Sequence, residues 1–410
     1  MLPLLLALSL LAQLPAEQVA GIRVQGNTLT ADADIVRLAG VEVGTPVTPT
    51  LLDDIAARLK QGGRFERVEV LKRFASIADL SQVLIVIVVD EGRVVVKPMS
   101  GNQPARAVRR RGPPLMFLPL LGSDDGFGFT YGALVTMPNV AGPRTRVSVP
   151  LTWGGERRAG VELEKRLDSA RFTRVRVGGS VLRRENRALD AVDSRQQVWA
   201  RGERAFIRAI RGGAWAGMDR VSFLGEESTI TRTGLDLALD TRVDPMLSRN
   251  AVYVRTAVER LAVHGGEAPV RTLLDANAYL PGPGAITIAV RAYRDGANRP
   301  VPGYLKVLRG RDQTLRGFRA GEVAGDTTAA GTIELRMPLT NPLSVGKVGL
   351  RAFIDAAAVY HAGESVHDQR FARGIGGGVW FTATVIRLAV DVAHGSGGAT
   401  RVQVSSGLTF

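Results

Sequence analysis

From Gly126 to the C-terminus the chain repeats one theme, segments of about ten residues in which apolar and polar side chains alternate, broken by Gly, Pro, Asp or Asn. Phe127, Phe129, Tyr131, Ala133 and Val135 fall on one face, with Gly128, Thr130, Gly132 and Thr136 on the other. Val147, Val149, Leu151 and Trp153 oppose Arg146, Ser148 and Thr152, and Ile386, Leu388, Val390 and Val392 oppose Arg387 and Asp391. The last segment sets Val402, Val404, Leu408 and Phe410 against Arg401, Gln403, Ser405 and Thr409. A soluble sandwich also alternates, but it packs two apolar faces together in about seven strands. Here the second face is polar and carries arginine over a much longer run. That pattern fits a closed barrel with lipid outside and water inside, because closure removes the unpaired edges a bilayer does not tolerate. Segmentation gives about 16 strands, hence a mainly β chain with a 16-stranded transmembrane antiparallel β-barrel over residues 123–410.

Composition narrows the chemistry. There is no cysteine, which excludes disulfide scaffolds and thiol catalysis. Basic residues number 53 against 39 acidic, a net charge of +14, and all but six of the basic residues are arginine. Guanidinium groups favour forked contacts with carboxylate and phosphate, so the candidate counter-anions are nucleic acid, lipid head groups and carboxylates of the protein itself. No apolar stretch reaches the roughly 18 residues of a transmembrane helix. The run Leu2–Leu14, ending in Leu14-Pro15-Ala16, has the length of a signal-peptide core, so residues 1–16 are expected to be a cleaved secretory signal. Export argues against a nucleic-acid partner.

Between the signal and the barrel the periodicity changes. Gln18–Gln25 reads as a strand ended by Gly26-Asn27. Thr30 is placed to cap a helix over Ala31–Leu38, and Thr48 or Thr50 a second over Leu51–Lys60. Phe65–Leu71 and Gln82–Asp90 read as two further strands, the second built on the β-branched run Val83–Val89. The order βααββ gives a small α+β domain over 18–92, followed by a linker over 93–122 that carries Arg106, Arg109, Arg110 and Arg111. A small sheet with a free edge accepts an extended peptide as an added strand.

Three phrases of this domain, Ile22-Arg23-Val24-Gln25-Gly26-Asn27, Gly62-Gly63-Arg64-Phe65-Glu66-Arg67-Val68 and Val86-Ile87-Val88-Val89-Asp90-Glu91-Gly92, resemble those of a POTRA domain, the periplasmic module of outer-membrane assembly barrels. Within the β region, Ala297–Thr327 is far too long for a hairpin connection. It contains Leu315-Arg316-Gly317-Phe318, which resembles the conserved-loop motif of the BamA/TamA-type outer-membrane assembly family. The resemblance implies that this loop folds into the lumen and that Arg316 meets acidic residues of the inner wall, here Glu334 and Asp355. Alternation turns both inward, away from Ile333, Leu335 and Ile354. Ala357 departs from the glycine common at that place. The C-terminal Phe410 resembles the terminal aromatic signal by which such barrels are themselves assembled.

Other chemistry finds no pattern. The four histidines lack metal-ligand spacing, so no metal or cofactor is expected. Gly374–Gly378 lies in an alternating strand with no helix after it, which fails the context of a dinucleotide loop. Asp391, His394 and Ser396 lack a nucleophile elbow, so no catalytic residue is expected and the chain is read as a non-enzyme. The resemblance implies a bacterial outer-membrane barrel with its POTRA domain in the periplasm, partnered by outer-membrane lipids, unfolded client polypeptides and periplasmic accessory proteins. Its expected function is to assist insertion or translocation of clients, whose strands dock at the POTRA edge or at the seam between first and last barrel strands. A passive channel and a pore secreting one dedicated exoprotein are the competing readings.

Overall fold

The computed structural model describes residues 17–408, apart from 28, 66, 76–78, 80, 92, 98–105, 111–114, 125–127, 169–170, 187–188, 244–246, 311–313, 320, 344–345 and 384–385. The expected signal segment and Phe410 lie outside the described residues. Two compact units divide between Pro114 and Leu115.

In the first unit, β1 (Gln18–Gln25), α1 (Asp32–Ala39), α2 (Leu51–Gln61), β2 (Arg67–Phe74) and β3 (Gln82–Asp90) follow the expected βααββ order. The sheet order is β1-β3-β2, so the apolar β3 is central, parallel to β1 and antiparallel to β2. Ile35 and Ala39 of α1 and Leu52, Ile55 and Leu59 of α2 bury against Val83, Ile85 and Ile87 of β3, the helical and strand periods meeting in one core. The expected threonine caps are not used. Ala31 and Thr50 occupy the N-cap positions without a side-chain bond, and the turn before α1 is held from outside it. There the buried Glu91 accepts from the backbone N–H groups of Leu29 and Thr30 at 2.6 and 2.9 Å. Gly26 has φ +84°, and a Cβ there would lie 2.2 Å from the Val89 carbonyl oxygen. Two short strands, β4 (Arg93–Lys97) and β5 (Arg106–Arg110), pair as a hairpin within the segment read as linker.

The second unit is one 16-stranded sheet. It opens with β6 (Met116–Asp124), β7 (Gly128–Pro138), β8 (Thr145–Gly154), β9 (Glu156–Arg166), β10 (Arg174–Asn186) and β11 (Ala191–Ile207). It continues through β12 (Ile210–Phe223), β13 (Glu226–Asp240), β14 (Ala251–Val263), β15 (Val270–Pro281) and β16 (Thr287–Ala297). Two tiny strands of the following loop, β17 (Val307–Leu308) and β18 (Ala324–Gly325), pair only with each other. β19 (Thr327–Leu343), β20 (Gly346–Tyr360), β21 (Ala372–Ala383), β22 (Ile386–Gly395) and β23 (Thr400–Leu408) complete the sheet. Sheet order is chain order and neighbours run antiparallel, as hairpin connections dictate.

The strand expected at Gly126–Met137 is the second of the sheet. The first, Met116–Asp124, falls in the segment read as linker, because Met116-Phe117-Leu118-Pro119-Leu120-Leu121 does not alternate and contains a proline. Proline is tolerated on an edge strand, where one side of the backbone makes no ladder. β6 has that position: it lies beside β23, and among the described residues no ladder joins the two. Along the strands the expected faces separate. Tyr131, Trp153, Ile333, Leu335, Ile354, Val390, Val392, Val402 and Val404 are exposed on the outside, while Glu164, Asp193, Asp219, Glu334, Asp355 and Asp391 are buried within. No described helix is long and apolar enough to cross a membrane.

Candidate functional site

The long connection between β16 and β19 folds across the inside of the sheet. Its first part, Val301 to Leu305, packs on Ala191, Val221, Phe223, Ile230 and Leu261, inward residues of β11 to β14. Arg195 donates to the Tyr304 carbonyl oxygen at 2.7 Å, and the Tyr304 ring meets Phe223 edge-on at 5.8 Å. Asp326 clasps the end of the loop by accepting from the backbone N–H groups of Val301 and Ala362. Burial pushes the Asp326 carboxyl up, but these amides and the Lys306 ammonium outweigh it and hold the group below the usual carboxylate range.

The middle of the loop carries the Leu-Arg-Gly-Phe motif to the opposite wall. Arg316 Nε and Nη2 donate to Asp355 Oδ2 and Oδ1 at 2.7 and 2.8 Å, a fork that fixes the plane of both groups. Its Nη1 donates to Glu334 Oε2 at 2.8 Å, and its backbone N–H donates to Asp355 Oδ2 at 3.0 Å. The guanidinium lies over the Phe353 ring, 3.2 Å from its centroid. Thr332 donates to Asp355, Arg336 donates to Glu334, and Arg351 forks onto Asp391, which also lies 3.7 Å from Arg316. Three cations from the loop, β19 and β20 thus meet three carboxylates from β19, β20 and β22, a balance that buried charge requires. Although burial works against the charged form, Asp355 and Glu334 outweigh it and raise the Arg316 pKa, which favours the guanidinium.

Leu315, fully buried, and Phe318 pack on Ala357, so a methyl group fills the place where glycine was noted as usual. Gly317 has φ +90°, and a Cβ there would lie 2.8 Å from the Gly395 backbone nitrogen. The Phe318 carbonyl accepts from Gln403 of β23 at 3.2 Å, so the loop reaches the last strand of the sheet.

One contribution escaped sequence reasoning. The run Gly374–Gly378 lacks the helix a nucleotide loop needs, yet its alternate members form a floor under the loop. A Cβ at Gly374 would meet the Arg316 carbonyl oxygen at 2.0 Å, one at Gly376 the Phe353 ring at 2.8 Å, and one at Gly378 the Asp391 carboxylate at 2.1 Å. Glycine at three successive inward positions of one strand was the available signal. The residues weighed as a triad are otherwise engaged: Asp391 holds Arg351, His394 contacts Thr400, and Ser396 accepts from the Arg373 N–H. Of the three anions considered for the arginines, internal carboxylates account for most of the inner wall, with Arg201 on Asp236, Arg232 on Glu259, Arg271 on Asp295 and Arg291 on Asp275.

An antiparallel sheet of 16 strands, apolar outside and charged inside, with an inward-folded loop followed by five strands, defines an outer-membrane barrel carrying its own internal strap. The chain belongs to the Omp85 superfamily, whose domain model matches residues 128–410. Among solved structures, BamA from Haemophilus ducreyi lacking POTRA domains 1–3 is similar with a TM-score of 0.59 at 15% identity, over 95% of this chain and 84% of that one. CdiB from Escherichia coli is similar with a TM-score of 0.54 at 14% identity, over 97% and 91%. CdiB from Acinetobacter baumannii gives 0.50 at 12%, over 96% and 74%. At these identities the likeness is one of fold. No curated protein matches the sequence.

Proposed function

We propose that this chain assists the insertion of client β-strands into the outer membrane, as a non-enzymatic assembly barrel whose small domain is a periplasmic POTRA module. The observation that carries the reading is the seam. β6 and β23 present neighbouring edges, and among the described residues no ladder joins them, while every other neighbouring pair in the sheet is laddered. Unpaired N–H and C=O groups facing hydrocarbon cost several kcal/mol each, so such an edge gains by accepting a client strand. Strand addition at β1 or β2, the edges of the small sheet, would deliver the client. The motif Leu315, Arg316, Gly317 and Phe318, held by Glu334 and Asp355, braces the wall next to β23 so that the seam yields before the rest of the sheet.

The loop packs on the inner wall both at β11–β14 and at β20–β23, which narrows the path a solute would take and disfavours a passive channel. The test is reconstitution. Vesicles holding the purified protein should fold a urea-denatured outer-membrane barrel several times faster than empty vesicles. Equal rates, with steady ion conductance, would replace this reading with the passive channel.

A further inference from the structure

Most of the inner arginines meet carboxylates, and the outer face of the barrel carries a set of arginines that do not. Four consecutive strands running toward the long-loop end, β10, β12, β14 and β16, each place an arginine at the same distance from their last residue: Arg183, Arg220, Arg260 and Arg294. All four are exposed, and among the described residues none meets a carboxylate. Arg294 donates only to the Thr272 hydroxyl. Glu185 and Glu227, on the same face, form no ion pair with them. Neighbours in this set lie two strands apart and are staggered by two to four residues along the strands, so they form a belt with a backbone spacing of roughly 12–17 Å. A fifth, Arg157, stands directly across the ladder from Arg183. Like charges in that position repel, and an anion between them relieves the cost.

Beneath this belt lies an apolar groove of about 630 Å³. Gly179 forms its floor, Val181, Val198 and Met218 its walls, and Arg220 stands at the end nearer the long loop. Groove and belt are therefore arranged in the order of an amphiphile, with hydrocarbon along the strands and an anionic head at the arginines. We propose that this face binds a phosphate-bearing lipid, one acyl chain lying over Gly179 and the phosphate between Arg183 and Arg220. Forked guanidinium contacts suit phosphate oxygens, and a phosphate on Arg183 also offsets its repulsion with Arg157, which a neutral head group does not. The proposal rests on the outer-membrane barrel reading above but not on what the barrel does to clients.

The test uses the full chain in nanodiscs of phosphatidylcholine containing diphosphorylated lipid A, or the same lipid A stripped of its phosphates, with bound lipid counted by native mass spectrometry. The wild-type protein should retain the phosphorylated form. Arg183→Gln/Arg220→Gln/Arg260→Gln/Arg294→Gln should retain about tenfold less, the effect of losing charge-assisted contacts worth about 1.4 kcal/mol. Gly179→Leu, which fills the groove and leaves every charge, should also lower retention. Arg204→Gln, removing an outward cation at the opposite end of β11 that lies over the Phe206 ring, should change nothing. Heat-modifiable gel mobility checks that each variant is folded, and Arg220→Gln alone removes an exposed, unpaired group with no structural partner. Equal retention of both lipid forms, or an equal loss in Arg204→Gln, would overturn the proposal. Neither result bears on client folding, which the reconstitution assay reads separately.

Discussion

Replacing Arg316 with alanine tests the strap most sharply. The substitution removes three charge-assisted side-chain hydrogen bonds, two to Asp355 and one to Glu334, each worth about 1.5–3 kcal/mol. They do not sum, because with the loop swung away the two carboxylates regain water, Thr332 still serves Asp355, and Arg336 still serves Glu334. With the loop docked, Asp355 stays fully buried and loses its charge partner. The cost of breaking such a buried pair is about 3–5 kcal/mol, which shifts the docked-to-undocked ratio between about a hundredfold and a few thousandfold. The cysteine-free chain allows a direct assay. Thr314, only 3% exposed, is replaced by cysteine and its maleimide labelling rate is followed in the folded barrel. When undocking is a fast pre-equilibrium the rate tracks the undocked fraction, so Arg316→Ala should accelerate labelling by at least about a hundredfold. Arg316→Lys, which keeps the charge but not the fork, should fall between. An Arg316→Ala rate within a few-fold of the parent would refute the assignment of loop docking to this arginine.

The glycine floor gives a second prediction: Gly374→Ala, whose methyl would press on the Arg316 carbonyl, should expose the same Thr314→Cys reporter, whereas Gly377→Ala, facing outward, should not. In the small domain, Glu91→Ala strips the acceptor from two backbone N–H groups and should speed hydrogen exchange in α1 by an amount corresponding to about 1–3 kcal/mol, with the barrel strands unchanged. The depressed pKa of Asp326 sets the sign of a pH effect. Its clasp is fully present above the ordinary carboxylate value near pH 4 and is lost as pH falls through the lower folded value, so loop proteolysis by pepsin should rise toward pH 2 and Asp326→Asn should flatten that rise.

What was legible in the sequence follows from period and charge. Strict alternation at Tyr131, Trp153, Ile333 and Val390 yields the outer face directly, since a strand's side chains have only two directions to choose from. The same rule turns Glu334 and Asp355 inward, and the length of the Ala297–Thr327 connection marks the loop that meets them. Three features stayed hidden. β6 escaped because an edge strand is released from the constraints that make a central strand readable, so Pro119 looked like linker. The hold on the turn before α1 escaped because its acceptor, Glu91, comes from a residue distant in the chain and not from the local threonine. The glycine floor escaped because small residues carry no pattern of their own. Gly374, Gly376 and Gly378 acquire meaning only from the loop backbone and rings that approach them.

The proposed function requires the seam and the small-sheet edge to receive client strands. Photo-reactive residues placed singly along β1, β2, β6 and β23 in living cells, with matching sites on the outward face of β13 as controls, measure this directly. Adducts with nascent outer-membrane proteins are expected at the seam and at a small-sheet edge, and none on β13. Capture of nothing but lipid along β6 and β23, at the level seen on β13, would contradict it.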